Sequence, residues 1–213
     1  MILWLAAVEF LCGALMFSYW LGKAARKDLR QVGDGNPGAF NLWQSAGYHW
    51  GLAGILLDFM KGYVPLVFLV ESGMLGRDYG MTLVAVAPIL GHAFSPFLKF
   101  KGGKAIAVTF GVWSALTRFE AALAYAVILA VLLAVFSFYK KGKYASREAD
   151  GFQVVVGMAM LSIFLLIAGY ARPYWGVWLV NLIVLGFTNR QAIRSFLTGK
   201  GGKLPRSGDG VTL

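Results

Sequence analysis

The chain is built from a succession of apolar segments, each of which is long enough, or nearly long enough, to cross a lipid bilayer. A spanning helix needs about 20 mostly apolar residues, and 58% of the 213 residues here are hydrophobic. We therefore predict an all-α integral membrane protein with about seven transmembrane helices. The predicted helices cover residues 2–21, 51–72, 80–98, 105–117, 119–139, 152–170 and 173–188.

Little sequence is left over for a soluble domain. We predict a single polytopic membrane domain over residues 1–200 and a short cytoplasmic tail over residues 201–213, where glycine, proline and mixed charge predominate. The chain contains one cysteine and two histidines, too few for a cysteine-rich or histidine-rich metal site. No metal or redox cofactor is predicted.

Basic residues are concentrated in alternate loops of this pattern. With the N-terminus outside, sixteen of the twenty Lys and Arg residues fall in inner segments and three in outer loops. This asymmetry favours an external N-terminus, a cytoplasmic C-terminus and an odd number of crossings. The net charge of +10 is then an orientation signal that also attracts anionic membrane lipid. Because the charge is spread over four loops, nucleic-acid binding is not predicted.

A glycine-dense loop, residues 31–41, separates the first two apolar segments on the inner side. Glycines leave amide N–H groups uncovered, and consecutive uncovered amides form concave sites for phosphate or carboxylate. The loop therefore predicts a phosphorylated ligand that is handled at the membrane surface.

Asp58 and Lys61 lie at i and i+3 inside the second apolar segment. Ionisable residues within a span are costly and usually face a cavity or a partner, which makes them functional candidates. The alternative is a structural pair in which the Lys61 ammonium reaches the headgroups. The sequence favours neither interpretation.

The segment from His92 to Lys104 lies on the same inner side. Gly102 and Gly103 predict exposed amides next to the Lys104 ammonium, immediately before a helix whose N-terminus would also attract an anion. A nucleotide P-loop is not predicted: the spacing G-x-x-x-x-G-K-[ST] is missing, and Ala105 follows the lysine. His92 on an apolar helix is by itself more typical of a hydrogen-bonded structural residue than of a catalyst.

These motifs together resemble those of the bacterial membrane acyl-phosphate:glycerol-3-phosphate acyltransferases. Similar in order and spacing are Gly33-x-Gly35-Asn36-x-Gly38-x-x-Asn41, Asp58-x-x-Lys61-Gly62, Gly91-His92, Phe97-x-x-Phe100-Lys101-Gly102-Gly103-Lys104 and Leu197-Thr198-Gly199. The resemblance covers nearly the whole chain. It implies seven membrane helices and transfer of a fatty acyl group from acyl phosphate to the 1-hydroxyl of glycerol 3-phosphate. It also implies a multi-pass protein of the bacterial plasma membrane with its active face in the cytoplasm.

The resemblance also implies roles for individual residues. Lys104, His92 and Asn36 would be catalytic, with Lys104 neutralising phosphate or a developing oxyanion. Asp58, Lys61 and Ser146 would support the site. Substrate phosphate would be bound by loop and basic residues, namely Gly33, Asp34, Gly35, Gly38, Asn41, Lys101, Gly102, Gly103 and Arg190.

The chain departs from the family pattern at several of these motifs. Asp34 stands where serine is usual, and an ionised carboxylate beside a phosphate adds repulsion instead of a hydroxyl donor. Gln44 replaces an arginine and cannot supply its bidentate cationic fork. The remaining departures are Phe40 for threonine, Ala105 for glycine, Asn189 for histidine and Ala192 for asparagine.

Two further functions stay open at this point. One is a family member with a different acceptor, and the other is a catalytically silent protein that binds anionic lipid or a membrane partner. A channel or transporter is a third class, but it would ordinarily need more polar or interrupted spans.

Overall fold

The computed structural model describes residues 1–76, 78–139 and 147–198. Within these ranges all regular structure is helical, so the predicted all-α fold is confirmed. The predicted tail over residues 201–213 lies outside the described residues. The helices are α1 (Ile2–Ala14), α2 (Phe17–Ala24), α3 (Ala39–Ala46), α4 (Tyr48–Glu71), α5 (Tyr79–Ala93), α6 (Ile106–Thr117), α7 (Glu120–Tyr139), α8 (Arg147–Ile167), α9 (Arg172–Thr188) and α10 (Arg190–Thr198).

Every predicted apolar segment contains at least one helix, but the helices differ in length. Four stretches are long and apolar enough to cross a membrane, namely Ile2–Ala24, Tyr48–Glu71, Tyr79–Leu98 and Glu120–Phe138. Ile106–Thr117 and Gly151–Ile167 are shorter apolar helices. The count of seven crossings therefore stays a prediction. The short helices α3 and α10 were not predicted.

The first span is broken between α1 and α2, which the sequence did not predict. Leu15 is extended, with φ −63° and ψ 116°, so carbonyl groups at the end of α1 lose their helical partners. Two side chains replace those partners: the Ser95 hydroxyl donates to Ala14 O at 2.7 Å, and Lys61 Nζ donates to Leu15 O. Unpaired backbone groups are costly inside a membrane, and these bonds make the break tolerable.

Glycines allow two pairs of helices to pack at close range. A Cβ atom on Gly91 of α5 would lie 2.1 Å from Phe10 O of α1. A Cβ atom on Gly111 of α6 would lie 2.3 Å from Phe59 O of α4. Small residues at such crossings are the usual means of helix association in lipid, where the hydrophobic effect does not drive it.

A buried polar chain joins α6 to α9. Trp113 Nε1 donates to Asn181 Oδ1 at 3.0 Å, and Asn181 Nδ2 donates to Thr109 Oγ1 at 3.0 Å. All three side chains are buried, and hydrogen bonds between helices satisfy polar groups that lipid cannot.

Three loops meet on one side of the bundle. Arg30 in the α2–α3 connection donates to Lys101 O in the α5–α6 connection. Thr188 at the end of α9 donates to Lys104 O at 3.3 Å. These contacts hold together the segments in which the sequence analysis found its motifs.

Candidate active site

Two cavities open where these loops meet. The inner cavity, about 370 Å³, is lined mainly by apolar side chains. The outer cavity, about 890 Å³, is lined by loop backbone and basic side chains. The residues that line both are Asp34, Asn36, Lys104 and Asn189. The polar boundary between the cavities is therefore built from the predicted motifs.

Asp34 and Lys104 form an ion pair at this boundary. Lys104 Nζ lies 2.7 Å from Asp34 Oδ2, and the side chains are 24% and 34% exposed. The sequence alone predicts a phosphate-binding cation at Lys104 and a repulsive neighbour at Asp34, without a contact between them. Their pairing shows that the Asp34 carboxylate is directed at the same ammonium group that an incoming phosphate would contact.

The glycine-dense loop is organised around Asn41. This buried amide donates from Nδ2 to Val32 O at 2.7 Å, to Asn36 O at 2.9 Å and to Asp34 Oδ1 at 3.0 Å. Gly33 and Gly35 adopt φ values of 59° and 71°, in the left-handed region that glycine enters most easily. The Gly35 amide donates to Val32 O at 2.9 Å, so it is part of the turn.

The pKa of Asp34 is lowered by its polar contacts. Partial burial alone would raise it, but the hydrogen bond and charge of Lys104 outweigh burial, assisted by Asn36 and Asn41. The ion pair is fully formed above the ordinary aspartate pKa of about 3.9. Its contribution to stability begins to fall below that value and is lost as the pH falls through the lower pKa of the folded state.

The loop before α6 is held tightly against the end of α5. Gly102 and Gly103 donate their amides to Ala93 O and His92 O, each at 3.1 Å. The prediction of exposed amides at this pair is therefore wrong, because the amides close the C-terminal end of α5. Lys99, Phe100 and Ala105 all have positive φ values, a costly conformation for residues other than glycine, so this loop positions Lys104 under strain.

Gly102→Ala is expected to destabilise the protein by about 1–3 kcal/mol, because the new Cβ atom must displace backbone. That atom would lie 1.9 Å from His92 O. Thermal unfolding of the purified protein measures the effect. Gly186→Ala is the matched control, since a Cβ there meets nothing within 4 Å. Equal unfolding temperatures for the two variants would contradict the close approach.

His92 lies at the end of α5 against the inner cavity. It is buried, and its Nδ1 has no hydrogen-bond partner among the described residues. A Cβ on Gly103 would lie 2.3 Å from His92 Nε2, so the loop that contains Gly102 and Gly103 packs directly on the imidazole ring. Asn41 Oδ1 and Asn189 Oδ1 are also buried without a partner in the described part of the chain. Buried polar atoms are normally paired, which makes these three candidates for contact with a ligand.

Asp58 and Lys61 form a buried ion pair within α4. Lys61 Nζ lies 2.9 Å from Asp58 Oδ1, and both side chains are 2% exposed. The alternative in which Lys61 reaches the headgroups is therefore wrong. Ser18 of α2 donates to the other carboxylate oxygen. Asp58 lines the inner cavity. Lys61 does not line it and contacts the site only through its ion pair with Asp58.

The start of α10 borders the outer cavity. Arg190 and Ala192 line it together with Lys101. The Arg190 guanidinium lies 4.2 Å from the centre of the Phe187 ring and donates to Phe187 O at 2.7 Å. Gln44 is exposed on α3 and lines neither cavity. Ser146 lies outside the described residues.

The remaining predicted residues also lie at the cavities. Gly38 borders the inner one, and Gly33 and Gly35 border the outer one. Sequence reasoning missed Arg30, which lines the outer cavity and bonds to the Lys101 carbonyl. Its position one residue before the glycine-dense loop was the available signal.

Comparison with known proteins gives one family. The family model described as glycerol-3-phosphate acyltransferase matches residues 3–199. A Thermotoga maritima protein named glycerol-3-phosphate acyltransferase 1 is 39% identical over 203 residues, which is 92% of this chain and 97% of that protein. An Aquifex aeolicus glycerol-3-phosphate acyltransferase is 31% identical, over 93% of this chain and 96% of its own.

Solved structures agree with the sequence comparison. The crystal structure of PlsY (YgiH), an integral membrane glycerol 3-phosphate acyltransferase, in its glycerol 3-phosphate form has a TM-score of 0.79 at 27% identity and covers 95% of each chain. The lysophosphatidic acid form of that protein gives the same TM-score over 94% of each chain.

Proposed function

The chain belongs to the glycerol-3-phosphate acyltransferase family, and we propose that it acylates the 1-hydroxyl of glycerol 3-phosphate with a fatty acyl group from acyl phosphate. The products are lysophosphatidic acid and inorganic phosphate. The observation that carries this function is the position of Lys104 and Asp34, which line an apolar cavity on one side and a basic cavity on the other.

The two cavities suit the two substrates. An acyl chain is apolar, and the inner cavity offers Ile55, Phe110 and Val154 among its lining residues. Glycerol 3-phosphate is small and anionic, and the outer cavity offers Arg30, Lys101 and Arg190. Acyl phosphate would place its tail in the inner cavity and its phosphate near Lys104, with its carbonyl carbon at the boundary.

The reaction needs positioning and charge stabilisation more than a protein nucleophile, because acyl phosphate is already activated. The hydroxyl oxygen of glycerol 3-phosphate forms a bond to the acyl carbon, and the bond from that carbon to the phosphate oxygen breaks. Phosphate leaves with the electron pair and takes up the hydroxyl proton. Lys104 would stabilise the negative charge during transfer, while Asn36 and His92 would fix the donor near the boundary.

We propose a membrane placement in which the protein crosses the bacterial plasma membrane seven times, with the N-terminus outside and both cavities on the cytoplasmic face. Residues 1–200 would form one membrane domain. The concentration of Lys and Arg in the cavity-bearing loops supports this orientation. The short helices α6 and α9 would cross a locally thin bilayer or span it only in part while packed on their neighbours.

This orientation predicts that a reporter fused after Leu213 is active in the cytoplasm. A second reporter inserted between α4 and α5, after Gly73, should be active only outside the membrane. Each fusion serves as the control for the other. Activity of both on the same side would contradict the odd number of crossings proposed between the α4–α5 connection and the C-terminus.

The proposed reaction is tested with purified protein, acyl phosphate and labelled glycerol 3-phosphate in lipid or detergent. Formation of labelled lysophosphatidic acid, with release of an equal amount of phosphate, supports it. Absence of product from folded protein, with an active relative working in parallel, would point to another acceptor or to a lipid-binding protein without activity.

A further inference from the structure

The Asp34 carboxylate has unused capacity to accept a hydrogen bond. An ionised carboxylate offers about four lone-pair sites. Oδ1 accepts from the Asn36 amide at 3.1 Å and from Asn41 Nδ2 at 3.0 Å. Oδ2 lies 2.7 Å from Lys104 Nζ, and no other described residue donates to it. One acceptor site on Oδ2 is therefore left.

The surroundings of Asp34 place this acceptor where the two substrates must meet. The residue lines both cavities, and its side chain is 34% exposed. The bonds to Asn36 and Asn41 fix the carboxylate, so it cannot turn away when a ligand enters. A fixed acceptor at this boundary suits a hydrogen-bond donor such as a hydroxyl and disfavours a phosphate oxygen, which is itself an acceptor carrying negative charge.

The charge of Lys104 is already balanced by Asp34. The dianionic phosphate of an acyl acceptor is therefore stabilised more by cations whose side chains lack a carboxylate partner in the described ranges. Arg190 and Lys101 line the outer cavity and form no ion pair with a described carboxylate. The acceptor phosphate would lie towards them, and its hydroxyl end would point inward to Asp34.

Resting on the proposed function, we propose that Asp34 is a catalytic residue that binds the acceptor hydroxyl through Oδ2 and selects a polyol phosphate bound with its phosphate outward. The hydroxyl donates to Asp34 while its oxygen forms the new bond to the acyl carbon. The bond to the leaving phosphate breaks with its electron pair, and Asp34 passes the hydroxyl proton that it holds to an oxygen of that phosphate. Asp34 is therefore ionised before and after the transfer and is not consumed.

If Asp34 only held the loop in place, its replacement would not change the preference of the protein for a ligand with the 1-hydroxyl. The two roles are separated by comparing glycerol 3-phosphate with propane-1,2-diol 1-phosphate, the analogue that lacks the 1-hydroxyl of glycerol 3-phosphate. We would measure the Kd of both ligands by calorimetry with the wild-type protein, Asp34→Ala and Asp34→Asn. Asp34→Asn keeps an oxygen for the Asn36 and Asn41 bonds and so preserves the loop if the alanine variant does not fold.

The wild-type protein is expected to bind glycerol 3-phosphate at least about tenfold more tightly than the analogue, as a hydrogen bond to a charged group allows. In Asp34→Ala this preference should fall to about threefold or less, while the analogue binds more tightly than before because the repulsive carboxylate is gone. Glu71→Gln is the matched control. Glu71 is an exposed carboxylate at the end of α4 that pairs with Arg118 and lines neither cavity, and the loss of its charge should leave the preference unchanged.

An unchanged ratio of the two Kd values in both Asp34 variants would overturn the inference alone, whether the two values stay as in the wild-type protein or rise by equal factors. The acylation assay on the same preparations separates this result from failure of the proposed function. Lysophosphatidic acid formed by the wild-type protein, with the preference unaffected by Asp34, leaves the reaction intact and removes the Asp34 role. No product from the wild-type protein or any variant overturns the reaction itself and the inference with it.

Discussion

Lys104→Ala is expected to lower kcat/KM for acyl transfer by about 100-fold or more, the usual cost of removing one preorganised group that stabilises charge in a transition state. Lys104 is the cation that lines both cavities, so its loss affects the boundary at which the acyl group is transferred. It also leaves the Asp34 carboxylate without its cationic partner, which adds repulsion against both phosphates. The measurement is steady-state formation of labelled lysophosphatidic acid at saturating acyl phosphate.

Lys99→Ala is the matched control for this change. Lys99 is an exposed lysine of the same loop and lines neither cavity, so its removal changes net charge by the same amount. Its activity should stay close to that of the wild-type protein. Comparable losses in the two variants would mean that the overall charge of the loop matters and that Lys104 has no special position. Thermal unfolding of both proteins excludes a loss of folded enzyme as the cause.

Loss of the ion pair should also be visible in the pH dependence of stability. In the wild-type protein Lys104 lowers the pKa of Asp34, so the stabilisation survives until the pH falls below the ordinary aspartate range. In Lys104→Ala this acid-side contribution is absent. The difference in unfolding temperature between the two proteins should therefore be constant near neutral pH and shrink as the pH falls below about 4.

The helical fold follows from the sequence because apolar length is a local property. Even the short segment at 105–117 was predicted, and it corresponds to α6, Ile106–Thr117. The break after Ala14 was not predicted, because the partners that replace the lost helical bonds come from Lys61 and Ser95, far along the chain. The sequence pattern around Ala14 contains no information about donors that lie so far away in the chain.

The candidate site was predicted as a set of residues but not as a set of contacts. The motifs placed Asp34, Asn36 and Lys104 on one side of the membrane, and the structure brings them to one boundary. The pairing of Asp34 with Lys104, seventy positions apart, depends on how the α2–α3 and α5–α6 connections meet and has no local signature. The same limitation explains the error at Gly102 and Gly103, whose amides bond to carbonyls of the preceding helix.

The buried pair of Asp58 and Lys61 gives the second large effect. Lys61→Met is expected to destabilise the protein by about 3–5 kcal/mol, because it leaves a carboxylate buried without its cation. It also removes the donor to Leu15 O, at the break between α1 and α2. For a chain of this size such a loss lowers Tm by roughly 10 °C, measured by thermal unfolding in detergent.

Two further variants separate the charge pair from the rest of the lysine side chain. Asp58→Asn with Lys61→Met removes both charges and keeps an oxygen for the Ser18 hydroxyl, so it should recover part of the stability lost in Lys61→Met alone. Lys27→Met, at an exposed lysine after α2, should leave Tm nearly unchanged. A double variant less stable than Lys61→Met would show that the uncompensated Asp58 charge is not the source of the destabilisation. The free energy lost in Lys61→Met would then come from the unpaired Leu15 carbonyl and the lost packing of the lysine side chain.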